Sequence, residues 1–261
     1  MNLKGKTALV TGSTSGIGLG IAKVLAAHGA NIVVNGFGDA TQPQQEIERA
    51  GAAHGIRTAY HGADLSQPAQ IEELMAFAQR EFGQVDVLVN NAGIQHTATI
   101  ENFPPERWDA IIAINLSSVF HTTRLALPAM RKANWGRIIN IASVHGLVAS
   151  AEKSAYVAAK HGVVGLTKVA ALETATTGVT VNAICPGWVL TPLVQKQIDA
   201  LAAKNGISND EATRQLLGAK EPSQRFTTPE ELGELAAFFC SPAGENIRGV
   251  AWNMDGGWVA Q

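Results

Sequence analysis

Tyr156 and Lys160 stand four residues apart in a segment with helical patterning, so both side chains project from one face. A tyrosine hydroxyl, with an unperturbed pKa of about 10, is a poor base at neutral pH. An ammonium one turn away favours the phenolate. Such a tyrosine can take the proton from an alcohol as hydride leaves its carbon. Ser143 can hydrogen-bond the same substrate oxygen. A second chemical feature is the glycine-rich turn Thr11-Gly12-Ser13-Thr14-Ser15-Gly16-Ile17-Gly18. Between a strand and a helix, such glycines permit a tight turn and close backbone approach to a pyrophosphate. The helix N-terminus adds free N–H groups and the positive end of its dipole.

These residues need a scaffold, and the chain has the length for one. It holds 261 residues, 46% hydrophobic and 16% charged. The charged share is below the usual ~25%, which excludes disorder as the main state. The formal net charge of −2 argues against a nucleic-acid binder. Cys185 and Cys240 make no disulfide framework and suit a reducing compartment. The first residues, Met1-Asn2-Leu3-Lys4-Gly5-Lys6, carry no apolar stretch, so no signal peptide and a cytoplasmic location are expected. No uninterrupted apolar run reaches the roughly 18 residues of a membrane span. Metal binding is not expected, because no His pair has ligand spacing.

Short apolar runs alternate with helical patterns along the whole chain. Strands are expected at Thr7–Val10, Asn31–Asn35, Arg57–His61, Val85–Val89, Gly136–Ala142, Val179–Ile184 and Val250–Met254. Helices are expected at Ile17–His28, from a Ser66 cap to Gly83, from Pro105 to about Arg131, at Ser154–Thr176 and at Pro229–Cys240. That rhythm predicts an α/β chain: a single domain over 1–261 with a doubly wound parallel sheet of about seven strands covered on both faces. About forty residues before Pro229 contain helical pattern but no strand; they are read as a helical lid at about 188–226.

The turn spacing is Gly-x3-Gly-x-Gly. With Asn90-Asn91-Ala92-Gly93 after the fourth strand, Ser143 after the fifth, Tyr156-x3-Lys160 on the next helix and Pro186-Gly187 after the sixth, the chain resembles the short-chain dehydrogenase/reductase family. The resemblance covers essentially the whole chain and implies a Rossmann-type fold and a nicotinamide cofactor. It implies Asn115, Ser143, Tyr156 and Lys160 as the catalytic set, with Asn115 helping to position a water near the lysine. Gly12, Thr14, Ser15, Gly16, Ile17, Gly18, Phe37, Asp64, Leu65, Asn91, Ala92, Gly93, Pro186, Val189 and Thr191 would hold the cofactor, together with Tyr156 and Lys160. Asp64 can also be read as a residue that only turns the chain. The second strand ends in Asn35-Gly36-Phe37-Gly38-Asp39, so the usual acidic ribose ligand is missing. No Arg or Lys stands there to meet a 2′-phosphate, which points to NAD with Phe37 lining the adenosine pocket.

Within the family the chain is similar to bacterial members that act on D-3-hydroxybutyrate. Gly93-Ile94-Gln95-His96-Thr97, Ser143-Val144-His145-Gly146-Leu147, Lys153, Val194-Gln195-Lys196-Gln197 and Asp255-Gly256-Gly257-Trp258 carry that likeness. It implies NAD-dependent, reversible oxidation to acetoacetate, with Gln95, His145, Lys153, Gln197 and Trp258 around the substrate. A carboxylate entering a dry site needs a cation and donors, which Lys153, Gln95, His145 and Gln197 can supply. Trp188 and Trp258 offer apolar walls for a methyl end. His96 and His161 are read as structural. A 3-oxoacyl-thioester or sugar-alcohol enzyme and a non-catalytic NAD(H)-binding protein remain as alternatives. The family likeness also implies a homotetramer, with the helices bearing Asn115 and Tyr156 at one interface.

Overall fold

The computed structural model describes residues 2–261; Met1, counted in the expected domain span and N-terminal segment, lies outside them. Seven parallel strands form one sheet: β1 (Thr7–Val10), β2 (Asn31–Asn35), β3 (Thr58–His61), β4 (Val87–Asn90), β5 (Gly136–Ile141), β6 (Val179–Pro186) and β7 (Ala251–Met254). The spatial order is β3-β2-β1-β4-β5-β6-β7. The order reverses between β1 and β4, and a cleft opens there beyond the strand ends. β1, β4, β5 and β6 are buried along their whole lengths; β1 and β4 are mostly apolar, while β5 and β6 interleave buried Arg137, Asn140, Thr180 and Asn182 with their apolar residues.

One face is covered by α1 (Gly16–Ala27), α2 (Thr41–Ala50) and α9 (Pro229–Cys240). The sequence pattern does not announce α2: TQPQQEIERA has one aliphatic core residue, Ile47. On the other face lie α3 (Pro68–Phe82), then α4 (Pro105–Ile112) and α5 (Ser118–Ala133), then α6 (Ser154–Glu173). The start of α3 differs from expectation. Gln67 is the cap residue and Pro68 opens the helix with its fixed φ, while the Ser66 N–H donates to Asp64 Oδ1 at 2.9 Å. α4 and α5 form one continuous run joined by a π turn, Ala113–Ser117, which carries Asn115. Among the described residues this run, Pro105–Ala133, is the one helix long and apolar enough to cross a membrane. Here it packs on β4, β5 and α6.

The stretch expected to form a lid holds α7 (Pro192–Asn205) and α8 (Asn209–Gly218). It has a small core of its own, Val194, Ile198, Ala202 and Ala212, with Trp188 and Phe226 packed against it. Thr191 and Ser208 cap the two helices by accepting from Val194 N and Glu211 N.

Candidate active site

One cavity of about 550 Å³ lies beyond the C-terminal ends of the strands, a size usual for small-molecule sites. Every expected site residue lines it except Gly18 and Asn115. Gly12 and Gly16 adopt φ of +64° and +55°, the left-handed region that glycine enters without strain. Gly18 stands behind the wall: a Cβ there would lie 2.5 Å from Asn91 Nδ2, so its place is close packing of α1 on the turn. Asn91 fastens that turn by donating to Thr11 O at 2.8 Å and Gly12 O at 3.1 Å. The first turn of α1 carries no acidic residue. Free N–H groups, two left-handed glycines and no competing carboxylate fit a pyrophosphate.

Where the cavity meets the end of β2, Gly36 has φ +154°, and a Cβ there would meet Thr14 Oγ1 at 2.5 Å. An acidic side chain at this position would be strained, so its absence is built into the backbone. Phe37 is 69% exposed and lines the cavity. Asp64 lines it too, and its Oδ1 also turns the chain through Ser66 N. Among the described residues the only lysines or arginines on the wall are Lys153, which precedes α6 as its cap residue, and Lys160 on α6.

Elsewhere on the wall, α6 carries Tyr156 and Lys160. Lys160 is buried, and its Nζ donates to Ile141 O at 2.7 Å. Burial lowers its pKa to about 8. The ammonium lies 5.6 Å from the centre of the Tyr156 ring. Burial raises the Tyr156 hydroxyl above its ordinary value, and a hydrogen bond with Ser143 opposes that rise. Ser143 follows β5 in extended conformation and accepts from His145 N at 3.2 Å. Asn115 stands one layer back, exchanging two 2.9 Å hydrogen bonds with the Ile94 peptide. Its π turn aims the amide at the loop that carries Gln95; such turns often mark functional sites.

Beyond Tyr156 the cavity changes character. Lys153 is half-buried at the start of α6, and burial alone lowers its pKa, with no carboxylate opposing. Its Nζ lies 5.6 Å from the Trp188 ring centre. His145 is buried; burial first, then the charges of Lys153, Lys220 and His161, push it down to about 4. It is therefore neutral at pH 7. Its Nε2 lies 2.9 Å from Ser150 Oγ, and its ring stands edge-on to Trp258 at 5.4 Å. Trp188 and Trp258 lie 6.2 Å apart, and Gln95 and Gln197 add two amides to the lining. A lone cation, neutral donors and an indole wall can bind a small anion with a short apolar end. His96 and His161 lie off the wall; His96 stands edge-on to Phe103 and His161 bonds to Val157 O.

Sequence reasoning missed two supports. Ser150 orients His145 from a loop with no distinguishing pattern. Glu221, between Lys220 and Pro222, reads as a solvated charge yet is 1% exposed.

Fold and site together define an oxidoreductase that uses a nicotinamide cofactor, built on the short-chain plan. The short chain dehydrogenase pattern matches residues 6–202, and the chain belongs to that family. It is 70% identical over 259 residues to a D-beta-hydroxybutyrate dehydrogenase of Cupriavidus necator, covering 99% of this chain and 100% of that one. A D-beta-hydroxybutyrate dehydrogenase of Rhizobium meliloti is 52% identical over 98% of this chain and 99% of its own. Among solved structures, L-sorbose reductase from Gluconobacter frateurii, complexed with NADPH and L-sorbose, superposes with a TM-score of 0.93 at 30% identity. The match covers 100% of this chain and 99% of that one.

Proposed function

We propose that this single-domain enzyme oxidises D-3-hydroxybutyrate to acetoacetate, reversibly, with NAD. The observation that carries the reading is Lys153, a half-buried ammonium beside neutral His145 and the catalytic tyrosine, with no carboxylate of the protein to balance it. An anionic substrate supplies the missing charge. Gly12, Gly16 and Thr191 would help hold the nicotinamide cofactor, which would supply the hydride acceptor. Tyr156 takes the hydroxyl proton, and Ser143 holds the same oxygen. Lys160 favours the phenolate through its charge. Asn115 fixes the Ile94 peptide and so the loop bearing Gln95. Gln197 sits on α7, so closing the lid completes the site and excludes water. The test is NADH formation with each enantiomer of 3-hydroxybutyrate; turnover of the L form alone, or none of the D form, defeats the reading.

NAD is favoured over NADP because no cation lines the adenosine end. A 2′-phosphate there forgoes charge-assisted hydrogen bonds worth about 1.5–3 kcal/mol, so kcat/KM with NADP is expected to be about 10- to 100-fold lower. Phe37→Arg should narrow that gap; comparing the two cofactors in steady state checks it.

We also infer a homotetramer in a reducing cytoplasm. Trp108, Phe120, Val169 and Leu172 leave an apolar face on the long helices, and Phe238 and Trp252 leave a second on α9 and β7. Two independent faces suit the dihedral symmetry of a tetramer. Both cysteines are unpaired and buried, as a reducing compartment allows. Sedimentation equilibrium giving a monomer would rule the tetramer out.

A further inference from the structure

Two stretches of chain join the lid to the sheet, 187–191 on the way out and 219–228 on the way back, and they run side by side. They meet at one residue. Trp188 O accepts from Thr227 N at 3.0 Å, and Val189 bridges Thr227 in parallel. The Trp188 N–H donates to Glu221 Oε1. The returning stretch therefore grips both polar ends of Trp188. Glu221 is buried, and its second oxygen, Oε2, has no hydrogen-bond partner; Trp188 Nε1 is buried and unpartnered as well. Two unmatched polar atoms make this hinge a costly part of the closed arrangement.

Glu221 also reaches the turn that holds the other indole. A Cβ on Gly256 would lie 3.2 Å from Glu221 Oε2, and Ser223 N donates to Gly256 O at 3.0 Å. That turn is organised by Asp255, whose carboxylate accepts from Gly257 N and Val259 N at 3.1 and 3.0 Å and so sets Trp258. We propose that Glu221 is a positioning residue for the hydroxy acid: it grips the Trp188 peptide, packs against the Asp255–Gly257 turn, and ties lid closure to the setting of the Trp188–Trp258 wall. The ligand class rests on the function proposed above; the hinge itself does not.

The charges around Glu221 give the coupling its sign. Asp255 faces it from the turn after β7. Lys220, its neighbour, is exposed and lies 5.8 Å from the Trp258 ring centre, and Lys153 approaches Trp188 from α6. Neither lysine forms an ion pair with Glu221 among the described residues. Burial raises the Glu221 carboxyl to about 7; the Trp188 N–H works against that rise and Asp255 adds to it. An open lid returns the group to water and to its ordinary, lower value. The closed form thus holds the proton more tightly. Its advantage is full below the ordinary carboxylate range and is lost as pH rises through about 7. Ionisation favours opening.

The test compares the wild type with Glu221→Gln and Glu221→Leu between about pH 6 and 9, the range that brackets this titration. Glutamine keeps an acceptor for Trp188 N and carries no charge. The wild-type KM for D-3-hydroxybutyrate is expected to rise above neutrality. In Glu221→Gln the part of that rise due to hinge ionisation disappears, with the KM for NAD unmoved. Glu221→Leu removes the acceptor and should raise the hydroxy-acid KM roughly tenfold at every pH, with kcat less affected. A second readout needs no substrate: tryptic cleavage of the lid at the exposed Lys196, Lys204 and Arg214 follows the open population. At pH 8, Glu221→Gln should be cut more slowly than wild type, and at pH 6 equally fast. Identical cleavage ratios and identical KM profiles in wild type and Glu221→Gln overturn the proposal. A wild type that ignores hydroxybutyrate but shows the cleavage difference overturns the substrate reading and leaves the hinge standing.

Discussion

Tyr156→Phe is expected to lower kcat for alcohol oxidation about 10³-fold, within the 10²–10⁴ that a positioned proton acceptor contributes. At about 1.4 kcal/mol per decade, that is roughly 4 kcal/mol of lost transition-state stabilisation. The loss should be this large because no neighbour can take over. Ser143 Oγ is a weak base already engaged with His145 N. His145 is held near pKa 4, and its Nε2 is turned to Ser150. Lys160 donates to Ile141 O and, while charged, has no lone pair with which to take a proton. Nucleotide binding should survive, because the phenol hydroxyl is spent on Ser143 and the substrate rather than on the glycine-rich turn. Stopped-flow NADH formation and nucleotide titration separate the two effects. A variant that keeps more than about a tenth of wild-type kcat removes Tyr156 from the proton-transfer role. Lys160→Ala should instead shift the rising limb of the pH–rate profile upward, because removing a cation 5.6 Å from the Tyr156 ring centre disfavours the phenolate.

How far the sequence anticipates this geometry depends on what each residue packs against. Strands such as TALV and VLVN are buried on both faces, so composition alone marks them. The expected cofactor and substrate residues share a cavity because most follow strand ends, and a doubly wound sheet brings those ends to one edge. What stays hidden depends on contacts distant in sequence. α2 buries one aliphatic side chain and has no readable apolar stripe. The start of α3 is decided between two adequate openings, a serine and a proline, and backbone preorganisation by Pro68 wins. Asn115 keeps its place in a long helix only because a π turn aims it at Ile94, and no local pattern announces that turn. Glu221 has the composition of a surface residue; only the return of the lid against Trp188 and the Asp255 turn buries it.

Lys153→Ala is expected to cut kcat/KM for D-3-hydroxybutyrate by about 10²–10³-fold, the usual cost of removing one partner from a desolvated, hydrogen-bonded charge pair. The residue is suited to discriminate because its charge is held at a cost. It is half-buried, burial alone lowers its pKa, and its ammonium lies 5.6 Å from the Trp188 ring centre. An incoming carboxylate relieves that cost, and an uncharged substrate does not. A neutral secondary alcohol of similar size should therefore react equally well, or equally poorly, with wild type and variant. That difference separates a hydroxy-acid enzyme from a thioester reductase, whose substrate brings no free carboxylate to this pocket. The same substitution has a spectroscopic signature. The Lys153 charge is one of the forces holding His145 down, so its removal should raise the His145 pKa in an NMR titration. The effect on a free-acid substrate should reside mainly in KM, because the carboxylate is charged in both the ground and the transition state and its binding is uniform between them. A loss confined to kcat would mean instead that Lys153 acts on the reacting oxygen, beside Tyr156, and not on the far end of the substrate.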